Sequence, residues 1–136
     1  MESLAAQPTA SIPLAAAGWA ETKACYRLLA NDHVEPLKIL DCHADKSVAR
    51  AGSYPVVLCL QDTTELDFSS QPGIAGLGRL NYEARQGLYI HPTLMVTPEG
   101  QALGVIDAWT WTRKAKGEDD IKESHRWIEG YGIVAD

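Results

Sequence analysis

Apolar positions fall into two patterns along the chain, with helical spacing in the first fifty residues and strand spacing afterwards. Alanine-rich segments surround Pro8 and Pro13. From Glu21 to Ala30, residues Ala24, Cys25, Leu28 and Leu29 share one face of a predicted helix, which Asn31 and Asp32 end. After Pro36, the residues Leu37, Ile39, Leu40 and Cys42 predict a second, short helix. Gly52, Ser53 and Pro55 then crowd the stretch from Arg50 to Pro55, the composition of a linker.

Val56 to Leu60 is apolar at every position and ends at Gln61-Asp62. So short and β-branched a run predicts a central strand covered on both faces. It continues into Thr63 to Phe68, where apolar and polar residues alternate as in a half-buried strand. Ser69 to Arg85 is a glycine-rich loop. Gly87 to Val96 predicts a second strand, Thr97-Pro98-Glu99-Gly100 a type I hairpin turn, and Ala102 to Thr112 a third strand antiparallel to the second. A polar loop from Lys114 to Asp120 leads to a helix opening at Ile121. The order helices, three strands, helix fits several α/β and α+β folds. The chain divides into a helical region over 1–52 and a mixed region over 53–136.

Composition narrows this picture. Of 136 residues, 46% are hydrophobic and 22% charged, the balance of a soluble globular protein. The net charge of −6 is not that of a strongly basic nucleic-acid binder, so DNA affinity would need a local cluster of Lys and Arg, or a metal ion. Cys25, Cys42 and Cys59 are odd in number and widely spaced, which argues against a disulfide framework and a structural zinc site and for reduced thiols. No run reaches the roughly 18 apolar residues of a membrane helix, and the apolar start has no positively charged leader; a cytoplasmic protein without membrane contact is expected.

Asp62 is the most informative single residue. A carboxylate directly after a fully apolar strand is costly to bury unless paired or metal-bound. It either caps the exposed strand end, bonding its own turn, or is held there for function. Glu65 and Asp67, on the alternating strand that follows, read as solvated.

Four motifs in order then resemble one family. VVLCLQDTTELDFS (Val56 to Ser69) resembles the first core strand of bacterial insertion-sequence transposases of the Tn-five-like DDE type, in which an apolar strand runs into Asp-Thr-Thr. GLYIHPTLMVTPEGQALGVIDAWTWTR resembles that family's second and third strands, KESHRW its next helix opening, and GWAETKACYRLLAND the helix before the core. The resemblance implies the first three strands and first helix of an RNase H-like core, incomplete, behind a partial DNA-binding domain. It also implies cut-and-paste DNA transposition, in which three carboxylates hold two Mg²⁺ or Mn²⁺ ions for phosphoryl transfer. Asp62 matches the first carboxylate, at once catalytic residue and metal ligand. The second Asp and the Glu have no counterpart here, so the chain is expected to be truncated at both ends and inactive alone. Without further strands, Val56 to Leu60 would form an exposed apolar edge. DNA at transposon ends is the implied partner; the alternative is a non-enzymatic regulator that binds DNA or pairs with a full-length transposase.

For phosphate contact the candidates are Arg113, Lys114 and Lys116 after the third strand, and Lys23 and Arg27, four apart on one helix face. Solvated positions are the plainer reading of both sets. His91 reads as a structural histidine, and Trp109 and Trp111, two apart on a strand, share a face for packing. The loop carrying Gly73, Gly76 and Gly78 lacks the Lys-Ser/Thr of a phosphate loop, so no nucleotide is expected.

Overall fold

In the computed structural model, which describes residues 2–71, 73–82, 84–113 and 123–135, the alanine-rich N-terminal sequence forms three helices. They are α1 (Glu2–Ala6), α2 (Ile12–Ala15) and α3 (Trp19–Leu29). Pro13 stands in the first turn of α2, where a missing N–H costs nothing. At the start of α3, the Glu21 carboxylate reaches back to accept from the Ala17 N–H and the Ser3 hydroxyl, both at 2.6 Å. These bonds satisfy an orphan donor at the helix entrance and tie α1 to α3. Ala15, Thr22 and Cys25 are the buried residues here. This part of the chain, Met1–Lys38, forms one compact unit and Ile39–Asp136 another.

The division falls inside α4 (Pro36–Ala51), which is 16 residues long where a short helix was expected. Its apolar spacing fades after Cys42 because the later turns meet a strand edge through polar side chains. Arg50 donates from Nε to the Leu103 carbonyl at 2.6 Å, and His43 Nε2 accepts from the Val105 N–H at 3.2 Å. Ser47 is fully buried against Gly104, whose φ is 138°. A side chain at 104 would collide with Ser47 and come within 2.8 Å of Arg50 Nη2, so this close approach needs glycine. The helix covers backbone groups that a bare strand edge would leave open.

The second unit is built on an antiparallel five-stranded sheet of β1 (Leu58–Gln61), β2 (Thr64–Asp67), β3 (Gly78–Arg79), β4 (Gln86–Val96) and β5 (Ala102–Trp111). With its helices, the fold is α+β. β4 is the central strand, paired with β5 on one side and with β1 and β2 in succession on the other. The predicted hairpin joins β4 to β5, with Thr97 N–H bonded to Gln101 O and Gly100 N–H to Thr97 O. β3 is a short strand inside the expected glycine-rich loop, too brief to leave a periodic signal.

Val56 to Leu60 departs from the expected central strand. β1 pairs with β4 alone among the described strands, and Leu58 and Leu60 are 44% and 50% exposed. A run that is apolar throughout marks a strand without telling whether one neighbour or two will cover it. Among the described strands, β1 is therefore an edge strand that carries exposed leucines. β1 and β2 keep one continuous register against β4, Gln61 opposite Thr93 and Thr64 opposite Ile90. The gap between them holds Asp62 and Thr63, which face Pro92 and His91, and Pro92 has no N–H to give to a ladder.

α5 (Glu123–Ala135) lies on the face of the sheet that carries Tyr89, His91, Trp109 and Trp111. Gly130 lets it approach closely, since a Cβ there would stand 2.7 Å from Gln61 Oε1. Among the described residues, no helix is long and apolar enough to cross a membrane.

Candidate functional site

Two places concentrate the residues with chemical potential. The first is the outer face of α3. Trp19, Lys23 and Arg27 follow one another at four-residue steps, with Tyr26 beside them, so all four lie on one side of the helix. The helix's buried residues, Thr22 and Cys25, form the adjoining face. Trp19 is 76% and Tyr26 50% exposed, and both cations are exposed. Glu21, the helix's one acid, is engaged with Ser3 and Ala17, which hold its carboxyl below the usual glutamate range. The free charge on the exposed face is therefore positive although the whole chain is acidic. Two cations spaced one turn apart beside two aromatic rings can contact phosphates and stack on, or pack against, sugars and bases.

The second place is the gap between β1 and β2. Asp62 is exposed, and its Oδ1 accepts from the N–H of Thr63 at 2.8 Å, the local bond of a residue that caps its own turn. Its neighbours in sequence point the other way, into the sheet face under α5. Thr63 Oγ1 lies 2.8 Å from His91 Nδ1, and Gln61 Oε1 lies 3.3 Å from His91 Nε2. With an amide oxygen at Nε2, that nitrogen carries the ring proton and Nδ1 accepts from the threonine hydroxyl. His91 is 1% exposed, and Trp127 meets its ring edge-on at 5.0 Å. It is a satisfied buried histidine, as its apolar neighbours suggested. Strand alternation explains the divergence, since Gln61 and Thr63 share a face and Asp62 takes the opposite one with Leu58 and Leu60.

Beside this gap runs a ladder of rings and guanidinium groups. Tyr89 stacks on its cross-strand partner Trp111 with centroids 5.4 Å apart. The guanidinium of Arg126 from α5 lies 3.9 Å from the Trp111 centroid and 5.6 Å from that of Trp109. At the other end Arg113 sits 4.9 Å over Tyr89 and donates to Asn81 Oδ1 at 2.7 Å. Glu65, expected to be solvated, accepts from the Tyr89 hydroxyl at 3.3 Å and the Asn81 N–H at 3.1 Å. Its partner across the ladder supplies the hydroxyl, a contact that strand alternation alone does not reveal. Asp67 stays near the surface, where the Ser69 hydroxyl and then the Ser69 N–H hold its carboxyl below the usual range.

The structure thus separates the residues singled out from the sequence. Lys23 and Arg27 share the exposed face of α3, while Arg113 is exposed but anchored at the end of the ladder. Lys114 and Lys116 lie outside the described residues. Sequence reasoning missed Trp19 and Tyr26 as companions of the two cations, although their spacing was available. It also missed Arg126, whose burial depends on α5 docking.

A family model described as transposase DNA-binding matches residues 1–34. Over that stretch the chain is similar to the DNA-binding part of transposases. The match ends just after α3 and so contains the whole exposed face of Trp19, Lys23, Tyr26 and Arg27. DNA is accordingly the partner this part of the chain is suited to.

As for a metal, the test is the donor set. Asp62 offers a hard, exposed carboxylate of the kind Mg²⁺ or Mn²⁺ takes, but its bond is to the Thr63 N–H of its own turn, and a single carboxylate does not make an ion site. Among the described residues, no three His, Cys, Asp or Glu side chains gather closely enough to hold an ion.

Proposed function

We propose that the chain acts in transposase-type DNA handling, with Met1–Lys38 gripping duplex DNA through the outer face of α3. The observation that carries this is the coincidence of the transposase DNA-binding match with a solvent-facing set of two cations and two aromatics. In this reading Lys23 and Arg27 neutralise phosphates, while Trp19 and Tyr26 pack on the sugar–phosphate wall or on base edges. Arg113, Lys114 and Lys116 of Ile39–Asp136 are a separate set of candidate phosphate contacts. The test is a salt titration of binding to a labelled duplex. The double variant Lys23→Ala/Arg27→Ala is expected to weaken binding at low salt and to flatten the plot of log affinity against log salt by about 2, roughly one for each phosphate that is no longer neutralised. An unchanged slope would overturn the assignment of this face.

The finer part of the proposal concerns Ile39–Asp136. It takes this unit as the opening part of an RNase H-like core of the DDE type, as the ordered motifs from Val56 to Trp127 suggest. Asp62 then serves as one carboxylate ligand to Mg²⁺ or Mn²⁺. Such ions would lower the barrier to phosphoryl transfer by activating a nucleophilic oxygen and stabilising the leaving one. The part this chain's own residues play is narrower. Asp62 presents a carboxylate on the open face of the sheet, and the strand gap beside Pro92 keeps it clear of the ladder. The exposed apolar edge of Val56, Leu58 and Leu60 favours a second reading, in which the chain pairs through β1 with a full-length transposase and regulates it. Co-purification of the two, abolished in Leu58→Lys, would support that reading, and unchanged recovery in the variant would sink it.

A further inference from the structure

Three enclosed side-chain atoms have no hydrogen-bonding partner among the described residues: Thr93 Oγ1, Asp107 Oδ2 and Arg126 Nε. All three belong to the sheet face beneath α5. Thr93 and Asp107 are cross-strand partners on β4 and β5, two positions along from His91 and Trp109, so strand alternation puts them on the same face as those rings. Directly opposite residues hold their Cβ atoms about 5 Å apart, yet no hydrogen bond joins these two side chains. The ladder is irregular at this point. Thr93 pairs with Asp107 and Leu94 with Val105, which leaves Ile106 as the extra residue of a bulge in β5. Above the strands, Arg126 lays its guanidinium over Trp111 and Trp109, and Gly130, one turn later, seats on the amide of Gln61, the β1 partner of Thr93. Thr93 is 1% and Arg126 6% exposed.

We propose that one internal water molecule joins the three atoms. It donates to Asp107 Oδ2, shares a hydrogen bond with the Thr93 hydroxyl and accepts from the Arg126 Nε–H. About three bonds, each to a group the protein leaves unmatched, is the usual lot of a buried water. The charges around it select a neutral occupant. A metal ion would meet the Arg126 guanidinium and an anion the Asp107 carboxylate, whereas water both donates and accepts. The bridge links a carboxylate of the sheet to a guanidinium of α5 where Oδ2 and Nε make no direct bond, and so fastens the helix to the bulge. The site is independent of DNA binding by α3 and of any role for Asp62.

The experiment pairs a high-resolution crystal structure of the full chain with urea unfolding of one variant. Electron density is expected for a single water at about 2.8 to 3.0 Å from each of the three atoms. A dry site would overturn the proposal, and so would a peak with bonds of about 2.4 Å, the mark of a bound cation. Thr93→Val keeps the shape of the side chain and removes only the hydroxyl. If that hydroxyl holds the water, the variant should unfold at a urea concentration lower by roughly 0.5 M, the shift that goes with one lost hydrogen bond. An unmatched hydroxyl predicts the opposite sign, because a methyl in its place relieves a buried polar group, and a raised midpoint would sink the bridge. Should Thr93→Val not fold, the density of the unaltered chain decides alone.

Discussion

In Met1–Lys38 the aromatic and cationic side chains of α3 face solvent, whereas in Ile39–Asp136 Tyr89 and Arg126 are buried against half-buried Trp109 and Trp111. Trp19 is 76% exposed with Lys23 and Arg27 beside it, while Arg126 is 6% exposed between Trp111 and Trp109. The residue types match, so composition does not set their fate. What differs is the partner surface. Among the described residues, the first unit buries little beyond Ala15, Thr22 and Cys25 and has no sheet to cover a tryptophan. The second has a flat sheet face with cross-strand rings, and a helix whose arginine lies on those rings. A cation over an exposed ring contributes little, and one that is desolvated contributes about 2 kcal/mol. The inner ladder therefore serves stability and the outer face is left for binding.

Four substitutions would break or sharpen this contrast. The largest effect is expected from Gly104→Val in the second unit, where a branched side chain meets Ser47 and Arg50 at a φ that favours glycine. Overpacking together with backbone strain should cost about 3 kcal/mol, read as a lower urea midpoint. Next, Arg126→Ala should cost about 2 kcal/mol, because the rings lose both the cation above them and the packing of its stem. Tryptophan fluorescence should report it as α5 loosens over Trp109 and Trp111. Loss of DNA binding in this variant without loss of stability would contradict the division of roles between the two units.

The third probe is acid. Ser3, and then the Ala17 N–H, depress the Glu21 carboxyl below its unfolded value. The stability this bond confers is therefore present above the unfolded pKa and lost as pH falls through the lower, folded one. Ser3→Ala should move the Glu21 titration upward in a carboxyl-detected NMR experiment and leave Asp67 in place. The smallest stability effect is expected for Trp19→Ala, within about 0.5 kcal/mol because the ring is already in water. The same change should weaken duplex binding, and a variant that binds as before would remove Trp19 from the interface.

Much of the fold is legible in the residues themselves. The helix from Glu21 to Ala30, the strands from Gly87 to Val96 and Ala102 to Thr112, and the Thr97–Gly100 turn all come from local periodicity and turn chemistry, and the structure has them within a residue or two. The extent of α4 and the presence of β3 were not legible, because one continues on polar contacts to β5 and the other is two residues long. For the candidate sites, the spacing of Lys23 and Arg27 marked a helix face, and Asp62 stood out as a charge at the end of an apolar strand.

The sequence by itself determined which residues alternate, which turn, and which charges fall on one helix face, since these depend on neighbours within a few positions. Only the tertiary structure decided that β4 rather than the apolar Val56–Leu60 run is central, that Glu65 is held by Tyr89, and that Arg126 is buried. It alone brought His91 between Gln61 and Thr63, which stand 30 and 28 positions away. The physical reason is range. Periodicity records which side of an element faces inward, but the identity of what it meets there is set by register and docking between distant segments.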